Sequence, residues 1–208
     1  MEITTAGGPA RVELDEPADG KAARFLLVLT HGAGGGTESS DLLAAREAGL
    51  SQGGAVARVL QPYRVRGASA PGSAVRQDAG WLEIIGELRE RYQGVPLVQG
   101  GRSNGARVAC RTAQQAGVDG VIALAFPLHP PGKAGQPDKS RAPELRAAGN
   151  AGIPALVING DRDPFGVPDA RDADRLVVLA GETHALGRSR DAIVTAVTSW
   201  LGDRVLRS

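Results

Sequence analysis

The sequence predicts a mostly parallel, doubly wound α/β sheet flanked by helices, with residues 1–208 forming a single domain. Three observations predict it. Short apolar runs of four to six residues recur along the chain, mostly continuous in hydrophobicity, as strands are when both faces of a parallel sheet are covered. Stretches with helical spacing alternate with these runs, the rhythm of βα units joined by right-handed crossovers. At 208 residues the chain can bury roughly 70% of its unfolded surface, enough for a core without metals or disulfides.

In chain order, Arg11 to Leu14 reads as an added edge strand, and Phe25-Leu26-Leu27-Val28-Leu29 as the first buried one. A helix over 38–52 leads to a strand at Ala55–Leu60, and a helix over 76–92 to a strand at Pro96–Gln99. The helix over 104–116 carries Ala106, Ala109, Cys110 and Ala113, small residues that let it press closely on a sheet. After a strand at Val121–Ala125, the segment from Pro127 to Pro143 holds Pro127, Pro130, Pro131, Pro137 and Pro143 with Gly132 and Gly135. That composition predicts a long surface loop. A helix over 141–149, a strand at Ala155–Ile158, a short helix near 168–173 and a strand at Leu176–Leu179 follow. The last helix spans 189–204, where Ile193, Val197, Trp200 and Leu201 recur along one face.

Composition removes several classes of function. Twenty-four Lys plus Arg face 23 Asp plus Glu, for a net charge of +1, and only seven residues are aromatic. Neither a phosphate-binding charge footprint nor a base-stacking platform is available, which argues against nucleic acid as a partner. Only Lys21, Lys133 and Lys139 are lysines, and the many arginines are interleaved with acids, the pattern of a solvated surface. A lone cysteine, Cys110, excludes an internal disulfide and a Cys-Cys metal knuckle, and suits a reducing compartment. No stretch approaches the ~18 apolar residues of a membrane span, and Met1-Glu2-Ile3-Thr4-Thr5 lacks a secretory pattern. The expectation is a cytoplasmic protein with no membrane partner, no metal and no cofactor.

The count left to explain is 29 glycines. In open α/β sheets ligands bind beyond the carboxyl ends of the strands, so the residues just after each apolar run matter most. After 25–29 comes Thr30-His31-Gly32-Ala33-Gly34-Gly35-Gly36-Thr37, a turn rich in main-chain N–H groups that can cradle an anion or a developing oxyanion. A dinucleotide fingerprint fails, because Thr37 takes the last glycine's place and the next strand ends in Gln61-Pro62-Tyr63 without a ribose-holding acid. A P-loop fails for want of Gly-Lys-Ser/Thr. After 96–99 comes Gly100-Gly101-Arg102-Ser103-Asn104-Gly105, a G-x-S-x-G at a strand-to-helix turn, the context of a nucleophile elbow. Gly101 and Gly105 permit the cramped turn, and the helix from Asn104 aims its free N–H groups at a reacting oxygen.

After 155–158 comes Asn159-Gly160-Asp161-Arg162-Asp163-Pro164-Phe165-Gly166. Asp163 is the preferred carboxylate to orient a histidine, since Pro164 locks the next φ, and Asp161 is the alternate. After 176–179 comes Gly181-Glu182-Thr183-His184-Ala185-Leu186-Gly187, where His184 can act as general base and then acid. The order Ser103, Asp163, His184 is the nucleophile-acid-base order of α/β-hydrolases.

On these residues the chain resembles the α/β-hydrolase superfamily, and more narrowly the small cap-less serine hydrolases of the dienelactone-hydrolase-like and testis-expressed-protein-30-like groups. The likeness runs from about Phe25 to Leu201 and includes Phe126-Pro127-Leu128-His129-Pro130-Pro131-Gly132-Lys133, where many hydrolases insert a lid. It implies an α/β-hydrolase fold with minimal or no cap and a carboxylesterase-like enzyme acting on a small acyl substrate. By similarity, Ser103 is the nucleophile, His184 the base and Asp163 the acid. The oxyanion hole would use the main-chain N–H of Asn104 and one from Ala33 or Gly34, with His31, His129, Phe165 and Leu186 as candidate pocket residues. Dienelactone hydrolases proper use a cysteine where position 103 is serine, so their substrate does not carry over. The alternatives are a non-catalytic interaction module on the same fold, or thioester or peptide cleavage at the same serine.

Overall fold

The structure, a computed structural model, describes residues 1–133 and 135–207. Eight strands form one sheet in the order β1-β2-β4-β3-β5-β6-β7-β8. They are β1 (Glu2–Thr5), β2 (Gly8–Asp15), β3 (Leu26–Thr30), β4 (Ala55–Leu60), β5 (Leu97–Arg102), β6 (Gly120–Leu124), β7 (Ala155–Gly160) and β8 (Arg175–Leu179). β2 runs antiparallel to β1 and β4, and every pairing from β4 to β8 is parallel. The helices are α1 (Ser40–Ser51), α2 (Pro62–Val65), α3 (Ala74–Arg91), α4 (Asn104–Ala116), α5 (Ala142–Asn150) and α6 (Arg190–Arg204).

Strand alternation sorts the core into two layers. In β3, Leu26 and Val28 join the cluster formed with Trp81, Ile84, Leu88 and Leu145 of α3 and α5. Leu27 and Leu29 join the opposite cluster with Leu42, Ile193, Val197 and Trp200 of α1 and α6. All five residues of β3 are buried, which is why the sequence shows an unbroken apolar run there rather than an alternating one.

Three expectations are corrected. The edge strand is β1, and the run expected to add an edge, Arg11–Leu14, lies one place inside it as part of β2. Glu2-Ile3-Thr4-Thr5 alternates exposed and buried over only four residues, too short to signal a strand. The helix near 168–173 is a single 3-10 turn, Ala170–Asp172, because the Asp169 side chain accepts the Arg171 N–H and folds the segment as a local turn. The Pro127–Pro143 segment, of which Ala134 lies outside the described residues, is a surface loop only in its later part. Its start is held inside, with Phe126 and Pro127 buried. The His129 N–H donates to Phe165 O at 2.9 Å and the Arg141 N–H to Leu128 O at 2.7 Å.

The topology locates the site. From β3 the chain crosses to β4 on one side and then to β5 on the other, so a crevice opens between the carboxyl ends of β3 and β5. No insertion among the described residues forms a cap over it.

Candidate active site

Ser103 follows β5 and opens α4 with φ 52° and ψ −114°, a conformation that a non-glycine residue adopts only when the surroundings over-determine it. They do so through close backbone approach. A methyl at Gly101 would stand 2.5 Å from Thr30 O, and one at Gly105 would stand 2.6 Å from Thr30 O and 2.7 Å from His31 O. Only glycine at both positions lets the turn press against the end of β3. The main-chain N–H of Ser103 donates to Leu124 O at 2.9 Å, so the elbow is also tied to β6.

The structure brings three predicted residues together. His184 Nε2 lies 2.9 Å from Ser103 Oγ, and His184 Nδ1 lies 2.8 Å from Asp163 Oδ2. With a carboxylate on Nδ1, that nitrogen carries the proton and Nε2 accepts from the serine hydroxyl. The Asp163 side chain is fully buried and that of His184 one-fifth exposed. Asp163 Oδ1 accepts the Phe165 N–H at 2.9 Å, and the buried Asn159 donates to Asp163 Oδ2 at 3.4 Å and to Phe126 O at 3.0 Å. Asn159 thereby joins the loop after β7 to the loop after β6. Asp161, the alternate acid, instead accepts the Gly181 N–H at 2.8 Å and holds the histidine loop by its backbone. Phe165 meets His184 edge-on, ring centroids 4.5 Å apart.

The other candidates are placed differently. His31 is fully buried. Its Nδ1 donates to Gly32 O at 2.8 Å and its Nε2 accepts the Gln61 N–H at 3.0 Å. Burial pushes its pKa below the ordinary 6.5, and the ring is a neutral brace at the corner after β3. Leu186 is likewise fully buried, packed in the layer of α1 and α6, because β8 delivers its loop back onto that face. His129 is buried, with Nδ1 lacking a hydrogen-bond partner among the described residues, and its role in the loop is carried by its backbone. Ala33 and Gly34 lie on the turn after β3. Tyr63 Oη donates to Ala33 O at 2.9 Å, holding that turn, and a methyl at Gly32 would lie 3.3 Å from Ser103 Cβ. The turn and the elbow are thus adjacent, and Asn104 begins α4, whose first N–H groups have no intrahelical acceptor.

Two residues without a sequence assignment belong to the site. Arg102, the variable residue before the serine, donates from Nε to Asp41 Oδ2 at 2.8 Å and from Nη2 to His184 O at 2.7 Å. Asp41 is separated from Arg102 by 61 positions, and no spacing in the chain signals that pairing. A cavity of about 460 Å³ lies beside α2 and α3, with Gln61, Tyr63, Gln77 and Trp81 among its walls. Ser103 and His184 are not among them. No cluster among the described residues is arranged to hold a metal ion, and no helix among them is long and apolar enough to cross a membrane.

A family model described as an alpha/beta hydrolase domain matches residues 23–186. No curated protein matches significantly. Among solved structures, Est1E from Butyrivibrio proteoclasticus with bound ferulic acid superposes with a TM-score of 0.80 at 16% identity, covering 99% of both chains. XC6422 from Xanthomonas campestris, described as an α/β serine hydrolase without a lid, gives 0.75 at 20% identity, covering 99% of this chain and 94% of the other. A carboxyl esterase from Bacillus coagulans gives 0.77 at 13% identity, covering 99% and 98%. At these identities the likeness speaks to the fold.

Proposed function

The chain belongs to the alpha/beta hydrolase domain family, and from that premise we propose that it is a serine hydrolase cleaving carboxylic esters of small acyl groups. The observation that carries the proposal is the hydrogen-bonded row Ser103–His184–Asp163, at 2.9 and 2.8 Å, with the serine on a positive-φ turn at the head of a helix.

In the proposed reaction the Ser103 hydroxyl gives its proton to His184 Nε2 while Oγ bonds to the ester carbonyl carbon. The imidazolium is stabilised by Asp163, which also keeps Nδ1 as the protonated nitrogen. The carbonyl oxygen becomes an oxyanion facing the main-chain N–H of Asn104 and that of Ala33 or Gly34. As the tetrahedral centre collapses, the bond to the alkoxy oxygen breaks and His184 returns the proton to the leaving alcohol. Water then attacks the acyl-serine, losing a proton to His184, and in a second collapse the bond from the acyl carbon to Oγ breaks as His184 returns that proton to Ser103, freeing the carboxylic acid. No cofactor takes part in this scheme.

The uncapped crevice and the edge-on Phe165 suit small or flexible acyl groups, in keeping with the ferulic acid held by Est1E and the esterase description of the Bacillus coagulans neighbour. A fluorophosphonate probe is expected to label the wild type at Ser103 and to leave Ser103→Ala unlabelled, and equal labelling of the two sinks the proposal. A panel of p-nitrophenyl esters, thioesters and peptides then reads the bond type, with the short esters expected to turn over fastest.

A further inference from the structure

We propose that Arg102 and Asp41 form a positioning pair that holds His184 against Ser103. This rests on the reading of Ser103 as nucleophile and His184 as base.

Arg102 is the last residue of β5, directly before the serine. Its guanidinium gathers three separate pieces of chain. Nε bonds to Asp41 in the first turn of α1, and Nη2 bonds to the main-chain oxygen of His184 itself. Nη1 lies against the turn after β3, where a methyl at Gly32 would stand 3.1 Å away. The Asp41 side chain is fully buried and that of Arg102 is 17% exposed, and Asp41 Oδ1 accepts the Leu42 N–H at 2.9 Å. A carboxylate so enclosed is tolerable only with its cation in place. A planar guanidinium can donate in two directions from one rigid plane, which a lysine ammonium cannot reproduce. Asp161 on the Gly181 N–H and Glu182 on the Arg188 N–H hold the ends of the histidine loop. Among the described residues Arg102 is the side chain bonded to the main chain of residue 184, and it reaches it from the position next to the nucleophile.

The charged residues bonded to His184, to its loop or to Arg102 are Asp163, Asp161 and Arg162 after β7, Glu182 and Arg188 of the loop itself, Arg102 of β5 and Asp41 of α1. Glu47 of α1 is paired with Arg190 of α6. Among the described residues, Arg102 is the one cationic side chain hydrogen-bonded to residue 184, and Asp41 balances it. Removing Asp41 therefore leaves a charge of known sign, whereas removing Arg102 lets the enclosed Asp41 carboxyl take up a proton and leaves the pair neutral. Arg102→Gln thus lowers kcat and leaves the acid limb of the pH profile of kcat/KM in place. Asp41→Asn leaves a guanidinium that opposes the imidazolium, so the limb moves to lower pH, by about half a pH unit.

The test measures p-nitrophenyl acetate hydrolysis from about pH 5 to 9 for wild type, Arg102→Gln, Asp41→Asn and Arg102→Lys, after fluorophosphonate labelling of wild type and Ser103→Ala. A downward limb shift is expected in Asp41→Asn alone, with kcat of each variant down on the order of tenfold and KM changed less than about threefold. Arg102→Lys keeps the charge, so it lowers kcat and leaves the limb in place. If Arg102→Gln does not fold, Asp41→Asn and Arg102→Lys still separate charge from geometry. An upward or absent limb shift in Asp41→Asn, or folded variants with wild-type kcat, overturns the pair while the labelled serine stands. A wild type that labels no better than Ser103→Ala overturns the reading of the site, and the role of the pair with it.

Discussion

His31 and His184 occupy similar places, each in a glycine-rich loop just past the carboxyl end of a strand, β3 or β8, yet the structure puts them to opposite uses. His31 is fully buried and spends both nitrogens on the backbone, giving to Gly32 O and taking from Gln61 N–H. His184 is partly exposed and spends both nitrogens on side chains, Asp163 and Ser103. Backbone partners cannot exchange protons, so the first ring is a brace. A hydroxyl and a carboxylate can, so the second ring has the partners of a general base. What separates them is the partner set, which residue type and loop composition do not reveal.

The contrast is broken most severely at His184. His184→Ala is expected to lower esterase turnover by about 10³-fold or more while changing stability by less than about 1 kcal/mol, as read from p-nitrophenyl ester rates and a urea melt of the same sample. Next in size is the acid. Asp163→Asn should cost on the order of 10²–10⁴ in kcat, because the amide no longer favours the Nδ1–H tautomer, whereas Asp161→Asn should stay within about threefold. Equal losses in the two variants would mean that the histidine is oriented from elsewhere.

At His31 the signature reverses. His31→Ala leaves the Gln61 N–H and Gly32 O unpaired beside a void, a loss of about 2–4 kcal/mol in unfolding free energy. Ester turnover in the fraction that remains folded should fall far less than in His184→Ala. The smallest effect is that of pH on stability. Burial pushes His31 below its ordinary 6.5, so the unfolded chain binds the proton more readily than the folded one. That contribution is complete above about pH 6.5 and is lost as the pH falls toward the folded-state value. Urea midpoints should decline on going from about pH 7.5 to 5.5, and His31→Gln should flatten that slope.

The same division governs what could be read from the chain. The central strands were legible because both their faces are covered, so β3 and β6 are unbroken apolar runs. The tight turn around Ser103 was legible because glycine stands two positions to either side, although the Thr30 O that excludes a Cβ at both positions lies on β3. The site beyond that turn was legible only as candidates. Asp161 and Asp163 are two positions apart in one loop, and choosing between them needs the direction in which each side chain leaves it. β1 was missed because four residues with half their faces exposed carry almost no periodic signal.

By itself, then, the sequence determined where the central strands fall and where glycine permits the sharp turn around Ser103, since apolar runs and glycine spacing are both read within a few residues of chain. Tertiary structure alone decided which histidine meets the serine, 81 positions away, and which aspartate meets that histidine, 21 positions away. It also decided that the residue before the serine reaches a buried carboxylate on α1. Those pairings depend on sheet register and on the depth at which α1 and the last loop pack, quantities set by the whole core rather than by any segment of it.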